Sequence, residues 1–179
     1  MLFRRPKIPP PRPPDLPFDE AGRDALGGAP GVARAAHASA VHAEHLLLAM
    51  LEEEGGVAAR ALAGIGVAAA DVRRRVERAS PTRPWGLATP VLPIADDLKG
   101  TIEHAMREGR AMGLREIGTG PLLLGVLQST TGVPYRVVTP GIDLDALRAA
   151  VVDAMREDRV RAAGGIGGQG EDEPAGGDR

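Results

Sequence analysis

The chain has 179 residues, a formal net charge of −2, 43% hydrophobic residues, 2% aromatic residues and no cysteine. The length suits one ordinary domain, and the near-neutral charge offers no basic field to draw in nucleic acid. Without cysteine there are no disulfides, thiolate metal sites or thiol nucleophiles.

The only aromatic residues are Phe3, Phe18, Trp85 and Tyr135, so the core must be built from Ala, Leu, Val, Ile and Met. Small side chains let helices approach closely, and the predicted fold class is all-α. Residues 1–17 form a proline-rich, basic tail (Pro6, Pro9, Pro10, Pro11, Pro13, Pro14, Pro17), which favours polyproline II and cannot form a helix. Prolines also stand where a signal peptide would need an apolar stretch, and no apolar run is long enough to span a bilayer. The sequence therefore reads as cytoplasmic, with no membrane partner.

From Phe18 a first helix is predicted to about Ala36. Gly27, Gly28, Pro30 and Gly31 lie inside it, so a kink or break is expected there. Leu46, Leu47, Met50 and Leu51 give the apolar stripe of a second helix. A third covers Val57 to Ala63 and stops at Gly64. A fourth runs from about Ala69 to Ala79, with Val72, Val76 and Ala79 inward and Arg73, Arg74, Arg75 and Arg78 on a solvated face. Residues 80–93 hold Pro81, Pro84, Pro90 and Pro93 and read as a linker. The pattern then starts again. Ile94 to Met112 places Leu98, Ile102, Ala105 and Met106 on one face. Leu122, Leu123, Val126 and Leu127 follow, with Pro121 in the first turn and Thr119 expected as N-cap. A last helix spans Leu144 to about Val160, and residues 161–179 form a glycine-rich acidic tail.

The restart is an internal repeat. A shift of 76 residues carries Arg34 onto Arg110, Leu46–Leu48 onto Leu122–Leu124, Leu51 onto Leu127, Gly56-Val57 onto Gly132-Val133 and Arg60 onto Arg136. One deletion later, at a shift of 75, Gly66 falls on Gly141, Val72-Arg73 on Leu147-Arg148, Val76 on Val151 and Ala79 on Ala154. The predicted organisation is a double-repeat domain over 18–160: repeat one at 18–79, linker at 80–93 and repeat two at 94–155. Two pseudo-symmetric four-helix units would share one core.

Residues 41–62, VHAEHLLLAMLEEEGGVAARAL, resemble the Clp N-terminal (Clp R) repeat, in which Gly-Thr-Glu-His precedes Ile-Leu-Leu-Gly, an acidic turn and Gly-Val-Ala-Ala-Lys/Arg. Phe18-Asp19 resembles the opening of the family's first repeat. Ile117-Gly118-Thr119, Leu122–Gly125 and Gly132-Val133 resemble its second. The resemblance implies a double Clp N-terminal repeat fold and a non-enzymatic protein-binding module of Clp-dependent proteolysis or chaperone function. Its partners would be a protein substrate, an adaptor or a Clp unfoldase. The sequence reads as such a domain standing alone, because no G-x-x-x-x-G-K-[ST] phosphate loop is present to power unfolding.

The resemblance also implies a site. Glu44 maps onto the family's glutamate, with His45 beside it and Phe18 at the start of the repeat; a carboxylate there pairs with a guanidinium or a phosphorylated arginine. In repeat two Gly120-Pro121 replaces the acid, so at most one acidic pocket is expected. Ile94, Lys99, Ile102 and Glu103 fall where family members bind cyclic peptides. The alternative function is therefore a decoy that sequesters a cyclic-peptide antibiotic.

Other motifs fail on their own chemistry. His42-Ala43-Glu44 matches the start of a zinc-deaminase signature, which also needs a cysteine pair. His42 and His45 could share a helix face, but a zinc site needs a third ligand and Glu44 points elsewhere on a helix, so neither a metal nor a cofactor is assigned. The G-x-G-x-x-G at Gly165–Gly170 follows no strand and opens no helix. With no nucleophile–base pair the chain is read as not an enzyme, without catalytic residues.

Overall fold

The computed structural model describes residues 18–53, 55–80, 91–130 and 132–164. The proline-rich tail, linker residues 81–90 and the chain beyond residue 164 lie outside the described residues. Among the described residues eight helices follow in order: α1 (Glu20–Ala35), α2 (Ala43–Met50), α3 (Val57–Gly64), α4 (Ala69–Ala79), α5 (Asp96–Ala111), α6 (Thr119–Gln128), α7 (Val133–Val137) and α8 (Leu144–Gly164). A 3-10 turn, Thr139–Gly141, joins α7 to α8. Among the described residues there is no strand, only two isolated parallel bridges. The all-α, double-repeat expectation holds.

The two helices richest in leucine form the centre. Every residue of α2 is buried, as is α6 from Thr119 to Leu127. Helices apolar all round have only an interior to go to. The other helices each turn one stripe inward, such as Val72 and Val76 of α4 and Leu98 and Ala105 of α5. Where α6 crosses α5 a Cβ on Gly125 would lie 2.5 Å from the Thr101 carbonyl oxygen, so only glycine lets α6 settle against α5.

The repeats obey a pseudo-twofold. The bridges pair Phe18 with Ile117 and Val41 with Ile94. The 76-residue shift carries Phe18 onto Ile94 and Val41 onto Ile117, so each bridge is the other's symmetry mate. The same symmetry exchanges packing partners. Helix α3 packs chiefly on α8 rather than on α4, and α4 packs on α7. The repeats are interlocked units, not two four-helix bundles laid side by side.

Several local expectations change. Helix α1 runs unbroken through Pro30, because its buried stripe of Gly22, Ala25, Ala29 and Ala33 continues past the proline. Packing along that stripe against α2 outweighs a proline cost of about 3 kcal/mol. Thr119 is the first helical residue of α6 and not its cap; Gly118 holds the cap position, and Thr119 is buried. The third helix of repeat two shrinks to Val133–Val137 and a 3-10 turn, because Pro140 cannot donate to the helix ladder. Helix α8 continues to Gly164, past the expected end near Val160.

Candidate functional site

The site begins with the bridge at Val41. The Val41 N–H donates to the Pro93 carbonyl at 2.8 Å, and the Ala95 N–H donates back to the Val41 carbonyl at 3.0 Å. This clamp lays the start of repeat two along the loop that enters α2, and so sets Asp97, in the first turn of α5, over the α2 N-terminus. The Asp97 carboxylate accepts from the Ala43 N–H at 3.2 Å and faces His42 Nδ1 at 3.1 Å. An acid from one repeat thus satisfies a free N–H and the positive end of a helix in the other.

His45 completes the turn. Its Nδ1 accepts from the His42 backbone N–H at 2.9 Å, in the manner of a capping box. The ring is 3% exposed, and burial, reinforced by His42, lowers its pKa from 6.5 to about 4. It is therefore neutral at physiological pH, as an acceptor must be.

Glu44 is only 4% exposed, and its Oε2 has no hydrogen-bond partner among the described residues. Burial raises its pKa above the ordinary carboxylate value. Its own backbone N–H and His42 oppose that shift, nearby Asp97 adds to it, and Arg136 pulls it back. Glu44 lines a cleft of about 400 Å³ with His42, His45, Asp96, Asp97 and Arg136. Three carboxylates, two imidazoles and one guanidinium line the same cleft, a set that can hold a cationic and an anionic group together.

The symmetry-related cleft is differently equipped. Asp19 stands over Gly118 as Asp97 stands over His42, but Gly120 and Pro121 take the places of Glu44 and His45. No buried acid faces that cleft from α6.

The residues expected from the sequence divide into groups. Glu44 and His45 are brought together with Asp97. Phe18, 3% exposed and bridged to Ile117, is part of the core. Ile94 is 53% exposed and Lys99 pairs with Asp96 at 2.8 Å. Glu103 is exposed, whereas Ile102 is half-buried against the core. Asp97 and Arg136 were not anticipated. The Phe18–Ile117 bridge has its twofold mate at Val41–Ile94, and that mate brings the opening of repeat two, with Asp97, to the α2 N-terminus. The expectation that Glu44 points away from His42 is corrected by the same arrangement: the capped first turn keeps both on the Asp97 side.

Comparison with known proteins places this architecture. Residues 17–139 match the family model of the Clp repeat (R) N-terminal domain. The chain is 32% identical over 129 residues to a chaperone protein, ClpC1, chloroplastic, of Oryza sativa subsp. japonica, covering 72% of this chain and 14% of that one. It is also 32% identical over 130 residues to an ATP-dependent Clp protease ATP-binding subunit ClpA homolog of Cyanidium caldarium, covering 72% of this chain and 15% of that one. The chain thus spans about one seventh of these relatives. The fold matches the crystal structure of the N-terminal domain of the caseinolytic protease associated chaperone ClpD of Arabidopsis thaliana, with a TM-score of 0.58 at 20% identity, covering 78% of this chain and 95% of that one. Among the described residues no helix is long and apolar enough to cross a membrane.

Proposed function

We propose, on the premise that this chain belongs to the Clp repeat (R) N-terminal domain family, that it is a non-enzymatic recognition module acting in Clp-dependent proteolysis or chaperone function in the cytoplasm. Its ligand is a protein substrate, an adaptor or a Clp unfoldase, engaged through an arginine side chain.

One observation carries the choice of site: a buried carboxylate oxygen of Glu44 stands unpartnered on the wall of an open cleft. A buried polar atom left without a partner costs about 1–3 kcal/mol, a cost that a charged ligand removes. A guanidinium pairs with Glu44 beside Asp97. If that arginine is phosphorylated, Arg136 across the cleft receives the phosphoryl group by charge-assisted hydrogen bonds. The cleft around Gly120 lacks the acid, so the proposal allows one such site per chain.

Calorimetric titration with a phosphoarginine peptide, and with the same peptide carrying plain arginine, tests this. The expected result is a single site that Glu44→Gln weakens about 10- to 100-fold, the range for a hydrogen bond to a charged group. Two equal sites, or an affinity indifferent to Glu44→Gln, would refute it.

A second reading, sequestration of a cyclic peptide, draws on a different surface. Val91 and Ile94 are 79% and 53% exposed at the opening of repeat two, near Lys99. A ligand bound only by the folded state must raise the melting temperature, so a flat thermal-shift response at saturating cyclic peptide dismisses it.

A further inference from the structure

We propose that His42, Glu44 and Asp97 form a binding site for a divalent transition-metal ion of the zinc class, built jointly by the two repeats. This goes beyond the peptide-recognition reading but shares Glu44 and Asp97 with it, so a bound ion and a ligand guanidinium would exclude one another there.

The donor atoms are already gathered. One ligand atom from each of the three side chains lies within 4.8 Å of the other two. The His42 Nδ1 to Asp97 Oδ1 edge is 3.1 Å. A tetrahedral ion bound at 2.0–2.2 Å needs its ligands about 3.4 Å apart. That edge is close to it, and the Glu44 oxygen, within 4.8 Å of the other two ligand atoms, would have to move inward to bind. One imidazole and two carboxylates suit a borderline ion and supply two negative charges to balance it.

The independent observation is Glu44 itself. Its Oε2 is buried and has no partner among the described residues, and one of its carboxylate oxygens lies within 4.8 Å of the His42 and Asp97 ligand atoms. Three protein ligands leave a coordination position open, and the adjoining cleft of about 400 Å³ gives water or a ligand group access to it. The cleft also contains Asp96, which favours a cation, and Arg136, which opposes one. His45 stays outside the ligand set, because its Nδ1 is engaged by the His42 N–H. Sequence spacing could not reveal the site: Asp97 is supplied by the other repeat.

The test is calorimetric titration of the full chain with Zn²⁺ alone, repeated with Co²⁺ to read the ligand field optically. One ion per chain is expected, with low-micromolar or tighter affinity and tetrahedral or five-coordinate Co²⁺ absorption. His42→Asn, Glu44→Gln and Asp97→Asn should each weaken binding about ten-fold or more, while His104→Ala leaves it unchanged. His42 and Asp97 also hold the α2 turn, so melting curves without metal check each variant. Glu44→Gln decides the matter if the other two fail to fold, since the Glu44 Oε2 makes no hydrogen bond that the substitution would remove. Absence of saturable binding, or an affinity unmoved by Glu44→Gln, overturns the proposal.

Discussion

His45 and Glu44 are sequence neighbours whose buried positions give stability opposite responses to pH. Unfolded, His45 takes up a proton near pH 6.5; folded, only near pH 4. Between those values the unfolded chain binds more protons, so acidification removes stability. Glu44, with its folded pKa raised, contributes in the other sense: its share of stability is present at low pH and is lost as pH rises through the folded value. His45→Gln keeps an acceptor for the His42 N–H and removes the titration. Urea midpoints for the wild type are expected to fall between pH 6.5 and 4, and this variant to lose His45's share of that fall; an identical fall in both would contradict the assignment. The resemblance made Glu44 legible in the sequence. What it faces was not, because Asp97 and Arg136 reach it from repeat two and neither local spacing nor residue type encodes that meeting.

Helices were legible wherever the apolar period agreed with the packing. The boundaries of α3 and α4 follow directly from Gly64 and from the Val72, Val76 stripe. The reading failed where tertiary contact overrode local preference, as at Pro30. Equivalent helix ends show the same balance. Helix α1 closes through His37 at φ 53° and α5 through Gly113 at φ 68°, positions that the repeat aligns. In each the next residue donates back into the helix at 2.9 Å, Ala38 to Ala33 and Leu114 to Gly109. A Cβ at Gly113 is disfavoured by that backbone, so Gly113→Ala should cost about 1 kcal/mol, a melting-point loss of roughly 4 °C. Gly27→Ala should act oppositely. It lies inside α1 with nothing within 4 Å of a new Cβ, so a gain of about 0.5–1 kcal/mol is expected from chemical denaturation. Equal signs for the two glycines would show that the helix-end geometry is misassigned.

The duplication could be read from matched residues across the chain, but the interlocking of its halves could not, since a repeat in sequence does not say which copy supplies the partner helix. Because α3 packs on α8 and α4 on α7, neither half holds a complete core. A fragment of residues 18–80 should therefore show no cooperative thermal transition, and mixing it with residues 91–164 should restore one. A cooperatively melting single half would contradict the exchanged packing. The same interlocking makes the Glu44 cleft a property of the whole molecule: α2 provides its buried acid, α5 the carboxylates of Asp96 and Asp97, and α7 its guanidinium.

The most direct test of the claim that recognition occurs at this junction is a two-dimensional NMR titration of the isotopically labelled full chain with a phosphoarginine peptide. Shifts should concentrate at residues 42–45, 95–97 and 132–136, with residues 118–121 unmoved. Shifts of equal size at 118–121, or none around Glu44 at saturation, would contradict it.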